Sequence, residues 1–152
     1  LLTDLNMKVV LQRVSQASVS VDNEQIGAIK NGLMLLMGIH EDDSIEQMKW
    51  LADKILKLRV FDDADGKMNL SVQDVEGEIL VVPQFTLYGD YEQGNRPSYF
   101  KAAGPDKANE LYEDMVSYFK QHSDLNIETG QFGAYMDVSL NNDGPVTLVL
   151  ER

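Results

Sequence analysis

The chain has 152 residues, 43% of them hydrophobic and 25% charged, with a formal net charge of −12 and no cysteine. That length supports a real core, and the missing cysteine excludes disulfides, thiolate nucleophiles and zinc–thiolate sites together. The charge argues against broad nucleic-acid binding, which needs clustered Lys and Arg, so a nucleic-acid partner would have to be gripped over a small area.

No apolar run reaches membrane-spanning length, and a cysteine-free chain suits a reducing cytoplasm. Leu1–Asn6 precede Met7, which reads as a natural start. They lack the charged and apolar regions of a signal peptide. They read as an expression scar or upstream extension, leaving residues 7–152 as a single domain.

Lys8–Val14 alternates apolar and polar residues as a half-buried strand does, and Ala17–Val21 follows as a second strand. The turn Asp22-Asn23-Glu24 leads into Gln25–Ile29, so this pair reads as a hairpin. Leu33–Ile39 is continuously apolar, the pattern of a strand buried on both faces. Asp43 with Glu46 and Ser44 with Gln47 are overlapping capping-box candidates. Ile45, Met48, Leu51, Ala52, Ile55 and Leu56 then recur at helical spacing. Arg59–Asp62 predicts a short strand, closed by the turn Asp63-Ala64-Asp65-Gly66.

Glu78–Leu87 predicts a long strand, with Pro83 marking an edge, a bulge or its end. After a loop with Gly89, Gly94 and Pro97, a second helix starts near Pro105. Its apolar face is Ala108, Leu111, Tyr112, Met115 and Phe119. Ile127–Thr129, Tyr135–Leu140 and Val146–Leu150 predict three closing strands. Many strands with two main helices inserted imply an α+β fold with an antiparallel, barrel-like sheet.

The common catalytic signatures are missing. His40 and His122 have no partner at metal-ligand spacing, and His122 suits a helix C-terminus as a cation. No G-x-S-x-G elbow is present. Asp62-Asp63-Ala64-Asp65-Gly66 resembles part of a calcium loop, but the ligand spacing fails at Phe61 and a surface turn is the simpler reading. No metal and no cofactor are expected.

Two segments stand out: Pro83-Gln84-Phe85-Thr86-Leu87 and Asn142-Asp143-Gly144-Pro145-Val146-Thr147. Read from their residues alone, the first is a strand with Phe85 and Leu87 in the core. The second is a turn opening a strand at Pro145. Together, however, they resemble the paired motifs Ser-Gln-Phe-Thr-Leu and Asn-x-Gly-Pro-x-Thr of the D-aminoacyl-tRNA deacylase family. Met7-Lys8-Val9-Val10-Leu11-Gln12-Arg13-Val14, Gly66-Lys67-Met68-Asn69-Leu70-Ser71 and Gly94-Asn95-Arg96-Pro97-Ser98 are similar to further family segments, in the same order. The chain departs from the pattern at Pro83, where serine is usual. An animal branch with relaxed chirality carries proline there but alanine at the Phe85 position, so Phe85 places this chain with the D-specific branch.

The resemblance implies a homodimer that hydrolyses the ester of D-aminoacyl-tRNA, and of glycine mischarged on tRNA, at the tRNA 3′ acceptor end. It implies Gln84, Phe85 and Thr86 as catalytic positions. It further implies Gly144 and Pro145, joined by a cis bond, as a chiral gate that enters the partner subunit's pocket. Thr86 has no evident base, so an orienting role suits it better than a nucleophilic one. Arg96, Lys101 and Lys107 are candidates for local positive charge. The alternative reading is a nucleic-acid-binding module of the same fold without deacylase activity.

Overall fold

The computed structural model describes residues 6–152; the proposed N-terminal extension falls almost wholly outside the described residues. The elements run β1 Lys8–Val21, β2 Glu24–Ile29, β3 Gly32–Gly38, α1 Ile45–Lys57, β4 Phe61–Asp62, β5 Met68–Leu70 and β6 Glu78–Pro83. One turn of 3-10 helix, Phe85–Tyr88, follows, then α2 Pro105–His122, β7 Ile127–Thr129 and β8 Asp137–Glu151.

β1 organises the sheet. Along one edge its first half pairs with β3 and its second half with β2, while β8 runs antiparallel along the other edge from Glu151 opposite Lys8 to Asp137 opposite Ser20. The two strands expected between Lys8 and Val21 are therefore one, and Ser15 and Gln16, which looked like a break, are exposed where the partner changes. Asp22 and Asn23 both have positive φ, the two-residue hairpin turn whose twist matches the strands it joins.

The sheet is mixed, not antiparallel. β3 pairs parallel with β6, and β6 parallel with β7. Each parallel pair is separated in sequence by a helix, because a parallel neighbour needs a crossover too long for a hairpin. β2 and β7 then approach without forming a ladder. A Cβ on Gly27 would lie 2.8 Å from the Thr129 carbonyl oxygen, so the barrel is nearly closed.

β3 is buried on both faces, as its apolar run predicted. Leu33, Leu35 and Met37 join Ile79 and Val81 in the larger core, while Met34 meets Leu80, Val82, Val14 and Val19 in the smaller one. The larger core is roofed by the two helices. α1 contributes Met48, Leu51 and Ile55, and α2 contributes Leu111, Met115 and Phe119. Tyr112 donates its hydroxyl to the Val81 carbonyl at 2.7 Å, fixing α2 to β6, and Tyr118 donates to Asp53 Oδ1 at 2.6 Å, tying α2 to α1.

Of the two capping-box candidates, the Ser44 pair forms: the Ser44 N–H donates to Gln47 Oε1 at 2.7 Å. Asp43 instead accepts the His40 N–H at 2.6 Å and the Gln47 side-chain amide at 3.0 Å.

Two expected strands are shorter than their apolar runs. β4 keeps only Phe61–Asp62 and pairs with β5, which the sequence reading did not identify. β6 stops at Pro83, not Leu87, and the chain turns into the 3-10 helix. The proline marks the strand's end, one of the three roles open to it.

Candidate functional site

The Phe85–Tyr88 turn is set by what lies beneath it. Gln84 donates its N–H to the Met37 carbonyl at 2.8 Å, extending the β3–β6 register by one residue. Tyr88 is buried, and its one hydroxyl proton is shared between the Asn6 carbonyl at 2.6 Å and the Gly38 carbonyl at 3.1 Å. Burial pushes that hydroxyl well above the usual phenol range, so it remains a donor. Gly38 lets the turn settle on β3, since a Cβ there would sit 3.0 Å from the Tyr88 ring and 3.2 Å from Leu87 Cβ.

With Tyr88 inward, Phe85 and Thr86 face solvent, and Phe85 is 56% exposed. The simple strand reading, with Phe85 in the core, is thereby corrected. The Phe85 ring meets that of Tyr99 edge-on, and the rest of it is open to solvent. Among the described residues, the Thr86 hydroxyl accepts a short hydrogen bond from the Gln84 amide. An amide cannot take a proton from threonine, so this contact orients the hydroxyl without activating it.

Gly144 and Pro145 lie within β8, so the two strands expected at Tyr135–Leu140 and Val146–Leu150 are one, interrupted by a bulge. Thr147 pairs with Gln12 and Asn142 with Val14, so Asp143–Val146 all stand opposite the single residue Arg13. The surplus backbone leaves the ladder, and a bulge is where a proline can sit in a strand. The Gly144–Pro145 bond is cis, and Gly144 has φ 125°, a conformation that L side chains avoid. Both residues are exposed.

Arg13 holds this bulge and was not among the residues picked out from the sequence. It is only 7% exposed. Its Nε donates to the Asp143 carbonyl at 3.0 Å and its Nη1 to the Val60 carbonyl at 2.8 Å. Asp143 Oδ2 at 3.4 Å and Asp62 Oδ1 at 3.5 Å balance its charge. The peptide group leading into Gly144 is thus stapled to the β4 region. A readable signal existed: Val9, Leu11 and Arg13 share one face of β1, so the alternation points a guanidinium inward.

Within one chain the two motifs do not meet. Gly144 lies level with Arg13, whose β3 partner is Leu33, whereas Gln84 is bonded to Met37. The offset is about 13 Å along the strands, with three strand spacings across. Two surface concavities, one lined by Gln16, Ser18 and Ser139 among others and one by Gln73, Glu76 and Asp124, include none of these residues.

Other candidates take ordinary roles. Asp63 accepts the Asp65 and Lys67 N–H groups at 2.9 and 3.0 Å, making the expected turn. The Lys67 amide holds its carboxyl below the usual range. His122 stacks on Tyr118 with ring centroids 3.8 Å apart, and its Nδ1 lies 3.0 Å from the Tyr118 carbonyl. Among the described residues, His40, Glu41 and Asp42 bring possible ligand atoms within 4.8 Å of one another. His40 Nδ1, however, accepts the Asp42 N–H at 3.1 Å, which occupies the lone pair a metal would need.

A family model for D-Tyr-tRNA(Tyr) deacylase matches residues 10–151. A D-aminoacyl-tRNA deacylase of Exiguobacterium sibiricum is 58% identical over 146 residues, covering 96% of this chain and 100% of its own. One from Thermosipho africanus is 54% identical over 145 residues, covering 95% and 97%. The chain belongs to the D-Tyr-tRNA(Tyr) deacylase family. Among solved structures, a c-Myc DNA Unwinding Element Binding Protein superposes with a TM-score of 0.90 at 42% identity, covering 95% of this chain and 98% of its own. A probable eukaryotic D-amino acid tRNA deacylase superposes at 0.83 and 18% identity over 97% and 100%, a likeness that carries the fold alone.

Proposed function

We propose that this chain hydrolyses D-aminoacyl-tRNA, and glycine mischarged on tRNA, to the free amino acid and tRNA, acting in the cytoplasm as a homodimer. Membership of the deacylase family supports the reaction class. The observation that carries the finer reading is the bulge: Gly144 and Pro145 are exposed, stapled by Arg13, and far from their own chain's Gln84–Thr86 turn. A device so built acts on a neighbour.

β8 supports that neighbour. Among the described residues it pairs only with β1, leaving its outer edge along Asp137–Glu151 open. Long open edges are templates for pairing and need a cover. A second copy seated there would cover that edge and lie beside the exposed Gly144–Pro145 bulge, which is part of the same strand.

In the reaction, water attacks the ester carbonyl carbon, the bond to the ribose 3′-oxygen breaks, and that oxygen leaves with a proton. The ester is already activated, so positioning supplies much of the rate. Backbone N–H groups at Phe85 stabilise the oxyanion, Gln84 holds Thr86 in an orienting position, and the ribose 2′-hydroxyl helps orient the water. Selectivity works by exclusion. Gly144 and Pro145 fill the place of an L side chain, so D-residues of any size pass and glycine, having none, passes too.

The test is deacylation of D- and L-tyrosyl-tRNA by one preparation, with sedimentation at assay concentration. Cleavage of the D-ester alone by a dimer is expected. Equal rates on both, or a fully active monomer, would sink the gate.

A second reading, a nucleic-acid-binding module without turnover, is favoured by the 42% identity to a DNA unwinding element binding protein. The net charge of −12 opposes it. Filter binding of duplex DNA at moderate salt separates the two: retention without turnover would favour the module.

A further inference from the structure

We propose that the loop Gly89–Ala103 seats the unpaired nucleotides that precede the terminal adenosine of the tRNA. Phe100 and Tyr91 stack on their bases, and Arg96 and Lys101 meet their phosphates. The inference rests on the deacylase reading and deepens it.

Every residue from Tyr91 to Phe100 is exposed, yet the loop is tied down at both ends. Asp90 and Ser98 exchange backbone hydrogen bonds at 2.7 and 2.9 Å, and the Glu92 N–H donates to Asp90 Oδ1 at 3.0 Å. Further on, the Ala103 N–H donates to the Ile39 carbonyl at 2.9 Å, and the Lys101 carbonyl accepts the Glu41 N–H at 3.2 Å. An anchored loop that leaves Tyr91 75% and Phe100 65% exposed is presenting those rings.

The loop adjoins the candidate site directly: the Tyr99 ring meets the exposed Phe85 ring edge-on, with centroids 5.1 Å apart. Charge complements this placement. Arg96 and Lys101 offset Asp90 and Glu92, so the loop is neutral in a chain of net charge −12, and its Gln93–Ala103 part holds both cations and no acidic residue. The Lys101 ammonium lies 5.8 Å from the Phe100 ring centroid, so cation and platform are adjacent.

Exposed rings interleaved with cations match the two surfaces of a single strand, the π-faces of its bases and its phosphates. Stacking is tolerant of base identity, and two cations suffice for a few phosphates. Such a contact gives an acidic protein a small grip on RNA without binding nucleic acid broadly.

The test compares kcat/KM on two esters: D-tyrosyl-adenosine, and the same D-tyrosyl ester on a CCA trinucleotide. Phe100→Ala is expected to lower the trinucleotide-to-adenosine ratio about tenfold, the scale of one lost base stack. Phe100→Tyr, which keeps a stacking face, should restore it. In parallel, anisotropy of a labelled, uncharged single strand ending in CCA reads binding without turnover. Arg96→Ala should flatten its logarithmic salt dependence by about 0.7, the loss of one phosphate contact. An unchanged ratio, or equal losses on both esters, overturns the proposal. So does a variant whose sedimentation shows loss of self-association, because the patch would then be an interface between copies. Wild type that cleaves neither ester refutes the deacylase reading instead, and the anisotropy arm still decides the loop.

Discussion

Replacing Arg13 by methionine tests whether the bulge in β8 is held or merely tolerated. Methionine refills most of the apolar stem but orphans the carbonyls of Asp143 and Val60, which the guanidinium serves at 3.0 and 2.8 Å. Each hydrogen bond to a charged group is worth about 1.5–3 kcal/mol. The ion pairs add little, because Asp62 and Asp143 are 53% and 52% exposed and exposed pairs contribute about 0–1 kcal/mol. Removing a buried charge returns part of the loss as relieved desolvation. The expected net destabilisation is about 2–4 kcal/mol, a large fraction of a typical stability of about 5–15 kcal/mol. Urea unfolding at fixed protein concentration should show a lower midpoint with unchanged slope. Arg13→Lys should recover less than half, since one ammonium cannot serve both carbonyls with the fork geometry. In the folded fraction, activity on D-tyrosyl-tRNA should fall at least about tenfold, because the peptide entering Gly144 loses its fixed direction. A folded Arg13→Met protein within about 0.5 kcal/mol of wild type, with unchanged kcat/KM and chiral ratio, would refute this reasoning.

Other expectations are simpler. Gly144→Ala should cost about 1–3 kcal/mol and most D-ester activity, because φ 125° is closed to alanine and its Cβ would lie 3.0 Å from Arg13 Nη2; wild-type melting and turnover would contradict it. Thr86→Ala should keep measurable activity, since the hydroxyl is bonded to the Gln84 amide and not to a base. A loss of many orders of magnitude, or an acyl-enzyme trapped on Thr86, would reverse that assignment. Asp43 sets a pH dependence. Burial raises its carboxyl above the ordinary range against the opposing hydrogen bonds from His40 and Gln47. The folded state therefore keeps a proton that the unfolded chain has released. Stability should fall as pH rises from the ordinary carboxylate value through the raised one, and stay level above it. Chemical denaturation across that window should show wild type losing stability relative to Asp43→Asn; the opposite slope would contradict the assignment.

Much of this protein was legible in one dimension. Both helices follow from apolar spacing and end signals, with Gln47 completing the Ser44 cap and Pro105 opening α2. Leu33–Ile39 announced a strand buried on both faces, and Asp22-Asn23 announced the hairpin turn. These features are local: a turn, a cap or a periodic face is encoded in residues a few positions apart. The family motifs were legible too, because they are short runs of fixed spelling.

What the tertiary structure decided is long in range. Parallel pairing of β3 with β6 and β7 depends on which edges remain free once both crossovers are packed, and no neighbouring residues record that. The end of β6 at Pro83 and the outward turn of Phe85 depend on Tyr88 finding carbonyls at Gly38 and Asn6. The bulge at Gly144–Pro145 exists only as a mismatch of register against β1. The alternation of β1 points Arg13 inward beside Val9 and Leu11, but what it would hold there was decided only when a carbonyl 130 positions away in the chain came within hydrogen-bonding distance. Spacing along the chain dictates the elements; which surplus backbone is held out of the ladder, and by what, is settled where distant strands meet.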